Sequence, residues 1–244
     1  MKSDCEWRYL RYAIRLMIKK PGFTLFAVAT LAAGIGLNSA VFSVVNSVIL
    51  RPLPYKDFER LVQIWSRDLR EGGENSVVSP ADYLDWRKQA QTFERVSAYN
   101  VWFAKMPTAE GVTRVNGAVV TGDFFETLGV EAQLGRTFSI EDEQPDKNHV
   151  VIISHNFWQT RLGGKTDVIG QTLNLNESLY TITGVLKGDY RHPEPTWDQT
   201  AEFWRPMTLR EGERRNSLYL RAIGRLKPGV MLEQAQAEYD RAAD

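Results

Sequence analysis

The chain has 244 residues, enough for one or two domains with a sizeable hydrophobic core. Its 30 basic and 30 acidic residues balance, but residues 1–50 contain six basic and only two acidic side chains. No basic stripe follows residue 50, which argues against nucleic-acid binding. Cys5 is the single cysteine, so an intrachain disulfide is excluded.

The first 20 residues combine an apolar stripe with a neighbouring basic stripe at helical spacing. The residues expected at a membrane interface are Trp7, Arg8, Arg11, Arg15 and Lys19. This pattern predicts a cytoplasmic amphipathic helix over residues 1–20 that lies against anionic headgroups. A basic flank that only sets topology would carry the same charges, so both interpretations stay open.

Residues 21–51 carry no charge before Arg51. The run Phe23–Leu50 would form a helix about 42 Å long, whereas a bilayer core is about 30 Å thick. We therefore expect a single transmembrane helix over 21–51 that tilts or protrudes. Because the basic residues precede it, the N-terminus is expected in the cytoplasm of an inner (plasma) membrane, with the chain after residue 51 periplasmic or extracellular.

Two other interpretations of this run are weaker. A cleaved signal peptide has a shorter apolar core, and the small triplet Ala27–Ala29 comes too early in the run to be its cleavage site. A buried helix of a soluble protein would rarely be uncharged over so many residues.

One face of the predicted spanning helix is small and polar. Its members, at spacings of three and four, are Ala32, Gly36, Ser39, Ser43 and Asn46. Such a face permits close helix contact and interhelical hydrogen bonds, so it predicts a packing seam for a helix of another chain or of absent sequence. Ordinary membrane-helix composition without a partner is the alternative.

Residues 52–244 are predicted to form one α+β domain outside the membrane. A strand–helix–strand unit opens it, with strands at Leu61–Trp65 and Val96–Phe103. Ser79 and Pro80 are typical of a helix start between them. The buried face of this helix is expected to comprise Tyr83, Trp86, Ala90 and Phe93.

A strand-rich lobe is predicted over about 105–210. Its expected elements are a strand at Val112–Thr121, a helix at Asp123–Leu128, a strand at His149–Ile153, a helix at Asn156–Leu162 and a hairpin whose turn is Asn176–Ser178. A strand through Leu218–Leu226 and a helix at Met231–Ala243 then repeat the first pattern. Because a closing strand is missing, we expect an incomplete or truncated domain.

Catalytic motifs find little support in the sequence. Gly163–Thr166 lacks the earlier glycine of a phosphate-binding loop and is interpreted as a turn. The histidines do not form a zinc pattern. Asp82 and Asp85 fit a solvated helix face, and Glu141–Glu143 fits a charged loop. The prediction is therefore no enzyme, with no catalytic, metal or cofactor-binding residue and no cofactor.

The order of motifs resembles the MacB/FtsX-type ABC transporter permeases over nearly the whole chain. The segments that carry the resemblance are Arg11–Arg15, Lys20–Thr24, Gly34–Gly36, Ala40–Asn46, Arg51–Tyr55, Glu59–Val62, Gly122–Phe125, Leu128–Val130, Leu134–Phe138, Ile169–Leu173, Tyr180–Val185 and Arg225–Val230. The resemblance identifies residues 52–244 as a MacB-like periplasmic core domain.

The resemblance implies a permease with four membrane helices that works as a dimer with a separate or fused ABC ATPase. ATP-driven motion would pass to the periplasmic domain for export or mechanotransmission, in contact with other periplasmic proteins. The chain contains only the first helix of such a permease, so it would not transport alone. The alternative function is a stand-alone membrane-anchored extracytoplasmic sensor or binding domain.

Overall fold

The computed structural model describes residues 19–45, 55–67, 75–193, 201–210, 212 and 215–243. The chain divides into two compact units, Met1–Pro52 and Leu53–Asp244. The first contains helix α1, Pro21–Val45. Among the described residues, no helix combines the length and the apolar character that crossing a membrane requires.

The second unit mixes helices with strands, which confirms the predicted α+β class. Its helices are α2 (Pro80–Gln89), α3 (Phe124–Leu128), α4 (His155–Leu162) and α5 (Leu232–Ala243). Short 3₁₀ helices lie at Phe58–Arg60, Ile140–Glu143 and Thr166–Val168. The strands are β1 (Leu61–Ile64), β2 (Ser66–Arg67), β3 (Asn75–Ser76), β4 (Phe93–Thr108), β5 (Gly111–Val120), β6 (Ala132–Gly135), β7 (Val150–Ile153), β8 (Thr172–Leu175), β9 (Ser178–Leu186), β10 (Phe203–Pro206) and β11 (Arg221–Leu226).

Nine of these strands form one sheet in the order β1-β11-β4-β5-β10-β7-β9-β6, with β8 also paired to β9. Strands β2 and β3 form a separate ribbon. Neighbours in the large sheet are antiparallel except β5 with β10 and β7 with β9. The predicted lobe at about 105–210 therefore shares its sheet with the strand–helix units at the ends of the domain.

Strand β4 joins the two parts of the sheet. Its first half pairs with β11 and its second half with β5, and Tyr99 is in register with both Arg221 and Val120. The sequence predicted only Val96–Phe103, because the outer ends of β4 are more polar than its centre. A strand of this length gives the two parts a common backbone.

The predicted start of α2 is confirmed, whereas the assignment of Phe93 and the start of the last strand are corrected. The hydroxyl of Ser79 accepts a hydrogen bond from the amide of Asp82 (3.0 Å), as expected for an N-cap. Phe93 was wrongly assigned to the face of α2, since the helix ends at Gln89 and Phe93 begins β4. The last strand begins at Arg221 and not at Leu218, which lies before it and is exposed.

The predicted hairpin between β8 and β9 is confirmed, and its turn also closes the lobe. Asn176 and Glu177 both adopt positive φ, at 52° and 65°. The amide of Asn176 donates to the carbonyl of Lys105 (2.9 Å), and the amide of Lys105 donates to Oδ1 of Asn176 (2.8 Å). Asn176 thus pairs with the outer half of β4 as a neighbouring strand would, and brings β8 back against β4.

The acidic segment Glu141–Glu143 is not the charged loop that the sequence predicted. It forms a 3₁₀ helix in which Asp142 is buried and accepts two hydrogen bonds from Arg136, at 2.6 and 2.8 Å. Burial favours protonation, but the Arg136 hydrogen bonds lower the pKa of Asp142 overall. Asp82 and Asp85 do lie on a partly exposed face, where both pair with Arg215.

An aromatic cluster fills the core beneath α3 and surrounds His192. Its rings include Tyr99, Phe124 and Trp204, and Trp204 Nε1 donates to His192 Nδ1 at 3.3 Å. The Tyr190 hydroxyl lies 3.3 Å from the same nitrogen. Burial, and secondarily the charge of Arg221, lowers the pKa of His192 from 6.5 to about 3. His192 is therefore neutral in the folded domain.

Asn176→Gly is expected to lower the free energy of unfolding by about 1 kcal/mol. Glycine keeps the positive φ of the turn and the backbone bond to the Lys105 carbonyl. It removes only the side-chain oxygen that accepts a hydrogen bond from the Lys105 amide. Urea unfolding of the full chain in detergent, followed by tryptophan fluorescence, measures the change. Glu177→Gly is the matched control, because it alters the same turn and leaves Asn176 in place. Equal losses in the two variants would contradict the closing role of Asn176.

The stability of the domain is expected to fall between pH 6.5 and pH 5 because of His192. The unfolded state takes up a proton near pH 6.5, whereas the folded state does so only near pH 3. When the unfolded state holds one more proton than the folded state, the free energy of unfolding falls by about 1.4 kcal/mol for each unit that the pH is lowered. His192→Gln keeps a hydrogen-bond acceptor but does not titrate, so its unfolding free energy should vary less over this range. Identical pH slopes for both proteins would show that His192 is not buried as described.

Candidate functional site at the junction segment

The described part of the second unit begins with a short stretch, residues 55–60, that we call the junction segment. Tyr55 is buried at its start, and its hydroxyl donates to the carbonyl of Arg191 at 2.5 Å. Its ring belongs to the aromatic cluster around His192. Burial raises the pKa of Tyr55 well above its ordinary value. The junction segment is therefore anchored in the core by its first described residue.

Arg225 of β11 holds the next two residues of the junction segment. Its side chain is 5% exposed. Nη2 donates to the carbonyl of Lys56 at 2.7 Å, and Nη1 lies 3.4 Å from the carbonyl of Asp57. On the other side, Nε donates to the carbonyl of Thr127 at 2.6 Å. One guanidinium thus connects the junction segment, helix α3 and strand β11.

The end of α3 explains why a cation fits at this position. The carbonyls of the last helical turn lack intrahelical donors and carry the negative end of the helix dipole. Gly129 ends the helix at φ 68°, so the backbone turns away and leaves the Thr127 carbonyl to Arg225. Burial, followed by the nearby charge of Arg60, lowers the pKa of Arg225, but an arginine stays protonated at neutral pH.

Gly129 also lets the junction segment pass close to α3. A β-carbon placed on Gly129 would lie 2.6 Å from the Cβ of Lys56, which is shorter than a van der Waals contact. The glycine is required both for its positive φ and for this close approach.

Arg60 forms a second tie, at the far end of the junction segment. Its Nε donates to the carbonyl of Leu226 at 2.8 Å, and its guanidinium pairs with Glu94. A β-bulge between Arg225 and Leu226 leaves Glu94 without a direct partner residue on β11. The hydrogen bond from Arg60 is the main cause that lowers the pKa of the exposed Glu94 carboxyl.

An open cleft of about 620 Å³ borders the junction segment. Its lining mixes basic residues such as Lys56 and Arg136 with acidic residues such as Glu126 and Glu131. Because both signs are present, the lining does not favour an anionic or a cationic ligand. Within the described ranges, no group of three or more His, Cys, Asp or Glu side chains could hold a metal ion.

A partly buried ion-pair network fixes α2 against the start of α3. Arg87 contacts the carboxylates of Asp123 at 3.3 Å and Glu143 at 3.2 Å. Burial alone would lower the pKa of Arg87, but Tyr83 and these carboxylates raise it. Ser97 also donates to Asp123 at 2.9 Å. The network joins α2, β4, α3 and the 3₁₀ helix at Ile140–Glu143, so α3 is held from two directions.

The residues that the sequence assigned to membrane and helix contacts belong to the first unit, Met1–Pro52. Lys19 is exposed, and Ala32, Gly36 and Ser39 are exposed on α1. Apart from the backbone of its own helix and its chain neighbours, no described atom lies within 4 Å of the place where a β-carbon on Gly36 would stand. Ser43 belongs to α1. Trp7, Arg8, Arg11, Arg15 and Asn46 fall outside the described residues. The membrane-interface and seam assignments therefore stay predictions.

The sequence did not predict the residues of the junction site. Arg225 drew attention only as part of a family motif, Arg225–Val230. A usable signal was present, since Arg225 is a cation inside the apolar strand Arg221–Leu226 and would need buried partners. The identity of those partners depends on residues roughly 100 and 170 positions away in the chain.

Comparison with known proteins identifies the fold. Residues 24–242 match the family model described as the MacB-like periplasmic core domain. A comparison with curated proteins gives no significant match. The periplasmic region of MacB from Actinobacillus actinomycetemcomitans is 13% identical with a TM-score of 0.56, over 77% of this chain and 86% of that one.

A second solved structure agrees with the first. The extracellular domain of the noncanonic ABC-type transporter YknZ from Gram-positive bacteria is 15% identical with a TM-score of 0.53, over 75% of this chain and 95% of that one. At these identities the structural likeness shows the fold alone. Because the family model spans most of its length, the chain belongs to the MacB-like periplasmic core domain family, a domain of MacB/FtsX-type ABC transporter permeases.

Proposed function

We propose that the chain is the N-terminal part of an ABC transporter permease that passes ATPase-driven motion to its extracytoplasmic domain. The observation that carries this proposal is the family match over residues 24–242, which begins inside the long uncharged run and continues through the α+β domain. A membrane segment followed directly by this domain is the arrangement that the resemblance implies. The motion would serve either export of a substrate or mechanotransmission.

Membrane anchoring by residues 21–51 is part of the proposal. The apolar side chains of α1 are exposed in the first unit, for example Leu25, Leu31 and Ile35. The hydroxyls of Thr24 and Thr30 donate to the carbonyls of Lys20 and Phe26, at 3.2 and 2.8 Å. Such bonds satisfy hydroxyls where water is absent. The charge asymmetry around the run supports a cytoplasmic N-terminus in the inner membrane and an outer location for residues 52–244.

Family membership also supports an ABC ATPase, separate or fused, and a second permease copy as partners. We propose that the seam from Ala32 to Asn46 packs against the membrane helices of such partners. Ala32, Gly36 and Ser39 are small and exposed, so a neighbouring backbone could approach closely. Contacts with other periplasmic proteins would involve the domain itself.

Binding and motion, and not catalysis, are the proposed roles of the domain. The related structures are domains of transporters. A stand-alone anchored sensor would share the anchor and the fold, but the family match favours the permease. The deciding experiment is co-purification of the tagged chain with an ABC ATPase from its native membrane.

The single cysteine offers a direct test of topology. In intact spheroplasts, Cys5 is expected to react with a membrane-impermeant maleimide only after permeabilisation, because residues 1–20 are proposed to be cytoplasmic. Glu110→Cys in a Cys5→Ser background places the thiol on the exposed β4–β5 turn and should be labelled at once. The reverse pattern, or equal labelling of both, would contradict the orientation.

Gly36→Leu is expected to weaken co-purification of the chain with the other helices and ATPase of its transporter, by roughly tenfold or more, while membrane insertion is unchanged. A leucine at this position would hold a neighbouring helix away from the seam. Gly34→Leu is the matched control, because Gly34 lies off the seam and its surroundings are equally open. If both variants co-purify as well as the wild type, α1 acts as an anchor only.

A further inference from the structure

We propose that Arg225 is the positioning residue through which a displacement of the junction segment reaches the sheet. The inference rests on the proposed function, since it names the contact that would carry the motion into the domain. The junction segment is the first described part of the second unit, and Arg225 lies on β11, between β1 and β4 in the sheet.

The hydrogen-bond geometry of Arg225 gives the link its direction. The guanidinium is planar, so its three donor nitrogens keep a fixed relation to each other. Nη2 and Nη1 face the Lys56 and Asp57 carbonyls, whereas Nε faces the carbonyl of Thr127. A shift of the junction segment must therefore move the guanidinium, and with it α3 and β11, or break the bonds.

Burial makes breaking those bonds costly. Arg225 is 5% exposed, and its bond to the Thr127 carbonyl is buried, whereas its bonds to Lys56 and Asp57 are partly buried beside the open cleft. An arginine that loses such partners leaves an uncompensated charge in a medium of low dielectric constant. A concerted movement of the connected elements then costs less than separation.

The link resists displacement in both directions. An outward pull on the junction segment stretches the bonds from Arg225. An inward push brings the Cβ of Lys56 against Gly129, where there is no space even for a methyl group. Arg60 binds the carbonyl of Leu226, the residue after Arg225, so both ties end on the same strand. The two arginines thus fix the junction segment to one place on β11.

Arg136 provides a comparison that separates coupling from general stabilisation. It also makes two strong hydrogen bonds to a buried partner, Asp142. Both residues belong to the segment between β6 and β7, and neither bonds to the junction segment. Loss of Arg136 or of Arg225 should destabilise the domain, but only loss of Arg225 should release residues 55–60.

Amide hydrogen exchange of the full chain in detergent tests the proposal. Arg225→Lys keeps the charge but offers no planar fork for three carbonyls. We expect exchange of residues 55–61 and 127–130 to become about tenfold faster or more, while β7 and β9 keep their protection. Arg136→Lys should leave residues 55–61 unchanged. Unchanged exchange at 55–61 in Arg225→Lys, or equal acceleration throughout the domain, would overturn the proposal.

A double-mutant comparison tests whether a movement of the junction segment reaches the end of α3 through Arg225. Tyr55→Phe removes the hydrogen bond to Arg191 and loosens the junction segment at its start. With Arg225 present, this change should accelerate exchange at residues 127–130. With Arg225→Lys, the added Tyr55→Phe should have no further effect there. Additive effects would show that the two sites are independent and would refute Arg225 as the link.

A second variant covers the case in which Arg225→Lys fails to fold. Gly129→Ala forces Lys56 away while the guanidinium remains, so it should release the same residues 55–61. Normal protection of 55–61 in this variant would overturn the proposal. These measurements do not require the ATPase. If the link is confirmed but the chain does not co-purify with an ATPase, only the proposed function fails; the opposite outcome removes only Arg225 as the route.

Discussion

The hydrogen-bonding of β4 to two different strands is the constraint on which the rest of the domain depends. Its first half belongs to the β1-β11-β4 part of the sheet and its second half to the strands of the lobe. Residues of one continuous strand cannot move apart, so under the proposed function a displacement received by β11 would pass along β4. Asn176 adds a tie at the outer end, where the β8–β9 turn binds the backbone of Lys105.

Buried and partly buried polar groups set how the helices sit on this sheet. Arg225 holds α3 to the junction segment, and Arg87 holds α3 to α2 through Asp123. His192 has the same kind of role in the aromatic cluster, as a neutral acceptor for Trp204. Separating any of these groups from its partners would cost free energy, because an unsatisfied polar group is unfavourable in an interior of low dielectric constant. Such groups favour one arrangement of the elements over near alternatives.

Local signals in the sequence predicted most of the elements. Ser79 caps α2 as expected, and the β8–β9 turn forms at Asn176 and Glu177. Each of these depends on residues within four positions of one another, so composition and spacing contain the information.

The features that define the site were not predicted, for a physical reason. Arg225 bonds to residues far away in the chain, and the full length of β4 depends on β11 and β5 as partners. Asp142 was assigned to a charged loop because its charge is visible in the sequence. Nothing in the sequence identifies Arg136 as its partner. Composition and spacing do not identify such partners, and the family resemblance included Arg225 and Arg136 only as members of motifs.

The most direct test of the rigid sheet is a distance measured along β4. Spin labels at Lys105→Cys and Lys227→Cys, in a Cys5→Ser background, would lie near the two ends of this strand, roughly 40 Å apart. If β4 joins the two parts of the domain, pulsed electron paramagnetic resonance should give one narrow distance distribution, with the same mean in detergent and in lipid nanodiscs. A broad or bimodal distribution, or a mean that shifts between the two environments, would contradict transmission through a single sheet.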